Sequence, residues 1–433
     1  MSTAMQYKSY WHDTSTPFAS AQAGPVEGKV DVVVIGAGFT GLNAARKLAR
    51  EGVSVAVLEA QFVGFGGSGR NGGHLNNGMA HGYDEAKHHL GADRAKTLWQ
   101  AYDRSIDMIE EVIAEEGIEC NFRRSGKLKL ASKTSHVAGL RAGFETIHRE
   151  VDPDTRFLDK HELSDEIGSE QFHGGMLYAK SAMMHMGRYV TGLGEAASRH
   201  GAKIWEKAPM TGRRREGNGW VIETPKGEIR AERIIAATNG YSNSVDAAPL
   251  RYFKKRIISV GSFIVATRPL TPEEIAATLP GNRTYVTSMN IGNYFRLSPD
   301  NRLIFGGRAR FSATSDQSSD EKSGKVLRAS LARMFPHLAN ADIDYCWGGM
   351  VGMTKDRYPR AGEADGMLYG MGYSGHGAQM STLMGQVLAD MAMGRTDTNP
   401  LQGLSWPQVP LHSGKPWFLP LVGLYFGLKD RLS

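Results

Sequence analysis

The chain has 433 residues, enough for two to three domains at roughly 150 residues each. Hydrophobic residues make up 41% and charged residues 22%, so a large core is affordable and compositional disorder is excluded. The net charge of +6 is too small for a dedicated nucleic-acid binder and fits an anionic cofactor or a membrane surface. Cys120 and Cys346 cannot build a disulfide framework or a cysteine-rich metal site, which points to a reducing cytoplasm. No apolar run reaches 18 residues, so no membrane-spanning helix is expected, and the N-terminal stretch lacks the apolar core of a signal peptide. Glycine is abundant, 52 residues against a background of roughly 7%, and it is clustered without a repeat.

The first predicted element is a buried parallel strand, Val30-Asp31-Val32-Val33-Val34-Ile35. Gly36-Ala37-Gly38-Phe39-Thr40-Gly41 follows, a G-x-G-x-x-G. A helix with period at Leu42, Ala45, Leu48 and Ala49 ends at Gly52, and a second strand, Val53 to Leu58, closes on Glu59 and Ala60. Gly36 makes the turn, Gly38 lets backbone approach a pyrophosphate, and Gly41 packs helix on strand. The helix N-terminus favours phosphate charge, and Glu59 suits ribose hydroxyls. Strand, helix, strand and acid at the expected offset make this a dinucleotide site. The acid disfavours NADP. FAD is favoured over NAD because a glycine loop, Gly64 to His74 with Ser68, Gly69, Arg70, Asn71, Gly72 and Gly73, replaces the usual next helix, as though threading along an extended ligand.

Farther on, Ala202–Glu206, Trp220–Thr224 and Ile229–Thr238 read as strands, the last followed by Asn239 and Gly240. Ile257–Ala266 is strand-like. Tyr294–Leu297 and Leu303–Gly307 suit a hairpin over Pro299-Asp300-Asn301. A second glycine loop, Gly370 to Ala378, contains Tyr373, Gly375, His376 and Gly377 and leads into an apolar helix, Met380 to Met393. Its N-terminus would face the N1–C2 oxygen edge of a flavin.

Taken together, the chain resembles the D-amino-acid-oxidase-like FAD-dependent oxidoreductases. The resemblance rests on GAGFTG with Glu59, on SGRNGGH, on Ala236–Gly240, on Trp347–Pro359 (with Gly349) and on GYSGHGAQ. Ser9-Tyr10-Trp11, Arg70–Gly73 and Tyr425–Asp430 are similar to the gamma-glutamylputrescine oxidase-like branch. The resemblance implies an α/β fold: a Rossmann-type FAD domain over residues 28–105, 175–245 and 345–412, interleaved with an α+β substrate domain over 106–174 and 246–344 that holds an antiparallel sheet. Residues 413–433 form an apolar tail. It also implies hydride removal from the carbon beside an amine, followed by imine hydrolysis. No second nucleotide fingerprint is present for NADH or NADPH, so dioxygen or a quinone is the expected acceptor.

Relatives that act on α-amino acids hold the carboxylate with an Arg in the strand before T-x-D-x-x-P. Here that stretch is Gly349-Met350-Val351-Gly352-Met353-Thr354, and neither it nor Tyr373–Gly377 has an Arg. The expected substrate is therefore an amine without an α-carboxylate, such as a gamma-glutamylated polyamine, with Arg296 or Arg308 as candidates for a remote carboxylate. An amino-acid oxidase with another clamp is the second reading, and a flavoprotein that does not turn over is the third. His74, Tyr373 and His376 are candidates for the catalytic wall, and Arg70 and Asn71 for flavin or pyrophosphate. With no cysteine near either glycine loop, the flavin is expected to be non-covalent, with His74 as the alternative attachment point. No metal is expected: His88 and His89, adjacent on a helix, point about 100° apart. Arg213–Arg215 and Lys254–Arg256 read as solvated runs. The apolar stretch Pro416–Leu428, too short to span a bilayer, is a candidate for peripheral membrane contact, for a dimer contact, or for packing on its own domain.

Overall fold

The computed structural model describes residues 5–242, 250–307 and 317–432. The expected N-terminal unit is present as the strand Lys29–Ile35, the helix Phe39–Arg50 and the strand Val55–Leu58. Two eight-stranded sheets organise the described residues. In the first, the order is Arg360–Ala364, Met367–Met371, Gly227–Ala236, Lys29–Ile35, Val55–Leu58, Lys203–Trp205, and every pair in this path is parallel except the first. Gly219–Thr224 and Gly212–Glu216 continue antiparallel from Gly227–Ala236.

The strand Lys29–Ile35 is buried on both faces, which is why it reads as an unbroken β-branched run. Val32 and Val34 join Val55, Val57, Leu42 and Leu193 in one core cluster. Val33 and Ile35 join Ala56, Leu58, Ile222 and Phe253 in another on the opposite face. Each such side chain contributes about 1.5–3 kcal/mol by burial.

The second sheet runs Ile343–Met353, Ile258–Pro269, Arg302–Gly307, Asn293–Leu297, Thr284–Thr287, Lys127–Leu130, Gly174–Tyr178, Arg156–Asp159. It is antiparallel apart from Thr284–Thr287 on Lys127–Leu130. The expected hairpin forms, pairing Leu297 with Leu303. One face buries Leu128, Leu130, Phe263, Val265, Phe295 and Phe305 beneath the helix Gln317–Met334. Along it Tyr285 stacks on Phe295 and Phe295 on Phe305, at 5.3 and 5.6 Å. The other face looks toward the first sheet.

Three boundaries differ from the expected division. Ile343–Met353, assigned from residue 345 onward to the nucleotide half, pairs along its length with Ile258–Pro269 in the second sheet, and the chain rejoins the first sheet only at Arg360. Gly174–Tyr178 likewise pairs with Lys127–Leu130. A 25-residue helix, Ala92–Glu116, runs through the expected break at 105.

Both ends of the described chain are tied down. Ser9 Oγ donates to Gly69 O at 2.6 Å and Trp11 Nε1 to Asn71 O at 2.6 Å. The tail forms a helix, Leu419–Leu432, whose Asp430 accepts from Asn290 N, Asn290 Nδ2 and Ile291 N. Leu421, Leu424, Tyr425 and Leu428 on this helix are exposed. No helix among the described residues is long and apolar enough to cross a membrane.

Candidate active site

A cavity of about 770 Å³ lies between the two sheets and reaches from the first βαβ unit to the second glycine loop. At the nucleotide end it is lined by Gly36, Gly38, Phe39, Thr40, Glu59, Ala60 and Ser68. Gly36 has φ +103°, a conformation other residues rarely adopt. Gly41 lies behind the cavity, and a Cβ there would overlap Gly36 O and approach Val34 to 3.1 Å, so it serves helix–strand packing as expected. Ala37 also stays off the cavity; its N–H donates to Glu59 Oε2 at 2.8 Å, while Gln61 N donates to Oε1 at 2.9 Å. Glu59 is thus held by backbone, and burial raises its pKa.

The loop 64–74 follows one wall. Arg70, Asn71, Gly72 and His74 line the cavity; Gly69 and Gly73 sit behind it. Both polar heads are engaged by backbone. Arg70 Nε donates to Phe65 O at 2.8 Å and its Nη1 to Gly348 O at 3.1 Å, with the guanidinium over the Phe65 ring. Asn71 Nδ2 donates to Gly67 O and Ser68 O, and its Oδ1 accepts from Gly73 N. These two residues shape the loop.

Toward the other end, Thr238, Asn239, Gly349 to Met353 and Tyr373 to Ala378 line the cavity. They are stitched without spare room. Asn239 Oδ1 accepts from Gly372 N at 2.9 Å, and a Cβ on Gly240, behind the wall, would stand 3.0 Å from Met350 O. Gly372, Ser374 and Gly375 all have positive φ, which folds the turn tightly ahead of the helix Gly377–Ala392, with His376 at its N-cap. Tyr373 Oη is 2.7 Å from Thr40 Oγ1 and donates to Gly370 O, so the hydroxyl joins the two glycine loops.

The residues fit FAD. The glycine cradle at 36–38, the acid after the second strand and a cavity continuous to a helix N-terminus together match an extended dinucleotide with its ring at the far end.

The electrostatics of the far end are cationic. His74 lies buried with its ring nitrogens 3.0 Å from Gly72 O and 3.3 Å from Phe295 O; burial, then Arg296, pushes it down to about 3. Burial, with Lys127 beside it, pushes His376 down to about 3 as well, and its Nδ1 has no hydrogen-bond partner among the described residues. Both rings are neutral near pH 7. Lys127 and Lys129 also line the cavity, and Glu59 is the one carboxylate among its described lining residues. Lys127 Nζ donates to Asn77 O at 2.6 Å and sits 3.8 Å above the Tyr178 ring; burial lowers it to about 7. These lysines were not among the sequence candidates. The signal was present in Lys-Leu-Lys-Leu, whose alternation sends the leucines to the core and the lysines to the opposite face.

Arg296 does not reach the cavity. Its guanidinium is buried behind Gly73, donating to Gly73 O, Met184 O and Leu297 O, and burial lowers it to about 9. A remote-carboxylate role for it is set aside on that geometry. Arg308 lies outside the described residues. His88 is exposed, whereas His81, Glu85 and His89 come within 4.8 Å of one another. Arg357 Nη2 stands 2.9 Å from His81 Nδ1 in this cluster.

Comparison with known proteins agrees with this arrangement. Residues 31–391 match the family described as DAO, FAD dependent oxidoreductase. The chain is 35% identical to a "Probable oxidoreductase OrdL" of Haemophilus influenzae, over 88% of this chain and 86% of that one. It is 30% identical to the gamma-glutamylputrescine oxidoreductase of Escherichia coli, over 93% of each. Among solved structures, glycine oxidase from Geobacillus kaustophilus superposes with a TM-score of 0.72 at 20% identity, covering 89% of this chain and 98% of that one, a likeness of fold.

Proposed function

Because the chain belongs to the DAO family of FAD-dependent oxidoreductases, we propose that it oxidises the C–N bond of an amine whose reacting carbon bears no carboxylate. Bound FAD supplies the two-electron acceptor for the hydride. The observation that carries the reading is the wall made by Gly349–Met353 and Tyr373–Gly377, which lines the far end of the cavity with glycine, apolar and neutral side chains and no guanidinium. The one arginine among the described lining residues, Arg70, is held by Phe65 O and Gly348 O, so a carboxylate beside the reacting carbon would find no free planar fork there.

The chain's own residues set the protonation state. Lys127 and Lys129, so far as they hold their protons, disfavour a second ammonium in the cavity and favour the neutral amine needed for hydride loss. His74 and His376, both at about 3, add no charge near pH 7. The imine product leaves to water, which gives a carbonyl and a free amine. With no second nucleotide fingerprint in the sequence, dioxygen is the proposed acceptor, giving hydrogen peroxide, and a quinone is the alternative.

A free α-amino acid is the second reading, favoured by the ammonium of Lys127, which could serve as its carboxylate partner. Anaerobic bleaching of the flavin band separates the two. Gamma-glutamylputrescine and alkylamines should reduce the flavin faster than glycine, sarcosine or D-alanine. A higher kcat/KM for any of those three amino acids would overturn the proposal.

A further inference from the structure

Lys127 and Lys129 occupy alternate positions on one strand, about 6.6 Å apart along it, and both face the cavity, while Leu128 and Leu130 enter the core beneath. Neither lysine has an ion pair of its own among the described residues, although buried lysines are normally paired. Asp103 and Asp152, whose charges act on Lys127, are already paired with Lys180 at 3.1 and 3.3 Å. Lys129 is half-buried, no acid stands against it among the described residues, and the charge it feels is a second cation, Arg357. His376, at the start of the helix Gly377–Ala392, adjoins the pair with a buried Nδ1 that has no hydrogen-bond partner among the described residues. Two lysine amines on one wall of a cavity, neither paired with an acid among the described residues, mark a place for an anionic group, whose charge would favour their protonated form.

We propose that Lys129, with Lys127 beside it, binds a carboxylate that the amine substrate carries several bonds away from its reacting carbon. The inference rests on the amine reading above and deepens it, since it names the second polar group the substrate must have. A flexible ammonium suits this task less selectively than an arginine fork, so the subsite recognises charge rather than carboxylate orientation.

Two measurements on the FAD-loaded protein test it. The first is the ratio of kcat/KM for gamma-glutamylputrescine to that for N-acetylputrescine, an analogue with the same reacting amine and no carboxylate. In Lys129→Gln this ratio should fall about 30-fold or more, mainly through KM, as expected when one partner of a buried charge pair is removed; Lys129→Arg should restore most of it. The second is binding of glutarate, a non-reacting dicarboxylate, followed by perturbation of the flavin spectrum. Wild type should bind it, and both Lys129→Gln and Lys127→Met should weaken binding at least tenfold while retaining stoichiometric FAD. Equal glutarate binding in wild type and both variants would overturn the subsite. If no amine bleaches the flavin, the function reading fails, and the glutarate measurement still decides the subsite.

Discussion

The nucleotide end depends on a missing side chain at Gly38. Gly38 faces the cavity, and a Cβ there would stand 2.9 Å from Ser68 Oγ, the atom that accepts from Phe39 N. Gly38→Val should fold yet carry little FAD, read from the ratio of visible to ultraviolet absorbance; retained stoichiometric FAD would refute the cradle. Gly41 differs, because its neighbours are the backbone of Gly36 and the side chain of Val34. Gly41→Ala should cost about 2–3 kcal/mol by overpacking, visible as a lower denaturation midpoint. Away from the site, Cys346 donates to Asp320 O in the core of the second sheet, and Cys120 lies in the first core cluster. Neither lines the cavity. Acid precipitation should therefore leave a yellow supernatant and a colourless pellet. A yellow pellet would bring His74 forward as an attachment point.

At the level of the element, the strand Lys127–Leu130 carries a pH signature. Lys127 is lowered to about 7 by burial, from an unfolded value near 10.5. Below pH 7 both states hold the proton, and the fold bears the full cost of a buried ammonium. Between 7 and 10.5 the unfolded chain keeps a proton that the folded one releases, so stability rises with pH across that window, by a few kcal/mol in order of magnitude. Lys127→Met lacks this dependence. Wild type should gain on the variant as pH climbs from 7 to 9.5, measured by urea midpoints; a constant difference would contradict the burial. This strand also shows what the sequence conceals. The βαβ unit was legible because strand, turn, helix and Glu59 are local in sequence. Lys127 and Lys129 gain meaning only through pairing with Thr284–Thr287 and Gly174–Tyr178, far along the chain. Arg296 misled for the same reason: its place on the hairpin was foreseen, but its neighbour Gly73 comes from a loop more than two hundred residues earlier. Trp347–Met353 was recognisable by its glycines, yet its sheet depends on the partner strand Ile258–Pro269.

Over the whole molecule, the tail helix braces the site. Asp430 accepts three hydrogen bonds from Asn290 and Ile291, and Asn290 lines the cavity between Met289 and Gly292. Asp430→Ala should cost about 2–3 kcal/mol of local stability. Faster amide exchange at 289–292 and a several-fold higher substrate KM, with FAD content unchanged, would report it; wild-type exchange there would refute the brace. The chain threads between the sheets four times, from Leu58 to Lys127, Tyr178 to Lys203, Ala236 to Ile258 and Met353 to Arg360. Neither sheet is encoded by one contiguous stretch of gene. A single continuous exchange that covers the second sheet also carries the strands from Lys203–Trp205 to Gly227–Ala236 of the first. On the proposed reading, substrate preference on this scaffold changes by replacing side chains on the cavity wall, at Lys127, Lys129 and the glycine-rich strand Ile343–Met353 of the same sheet.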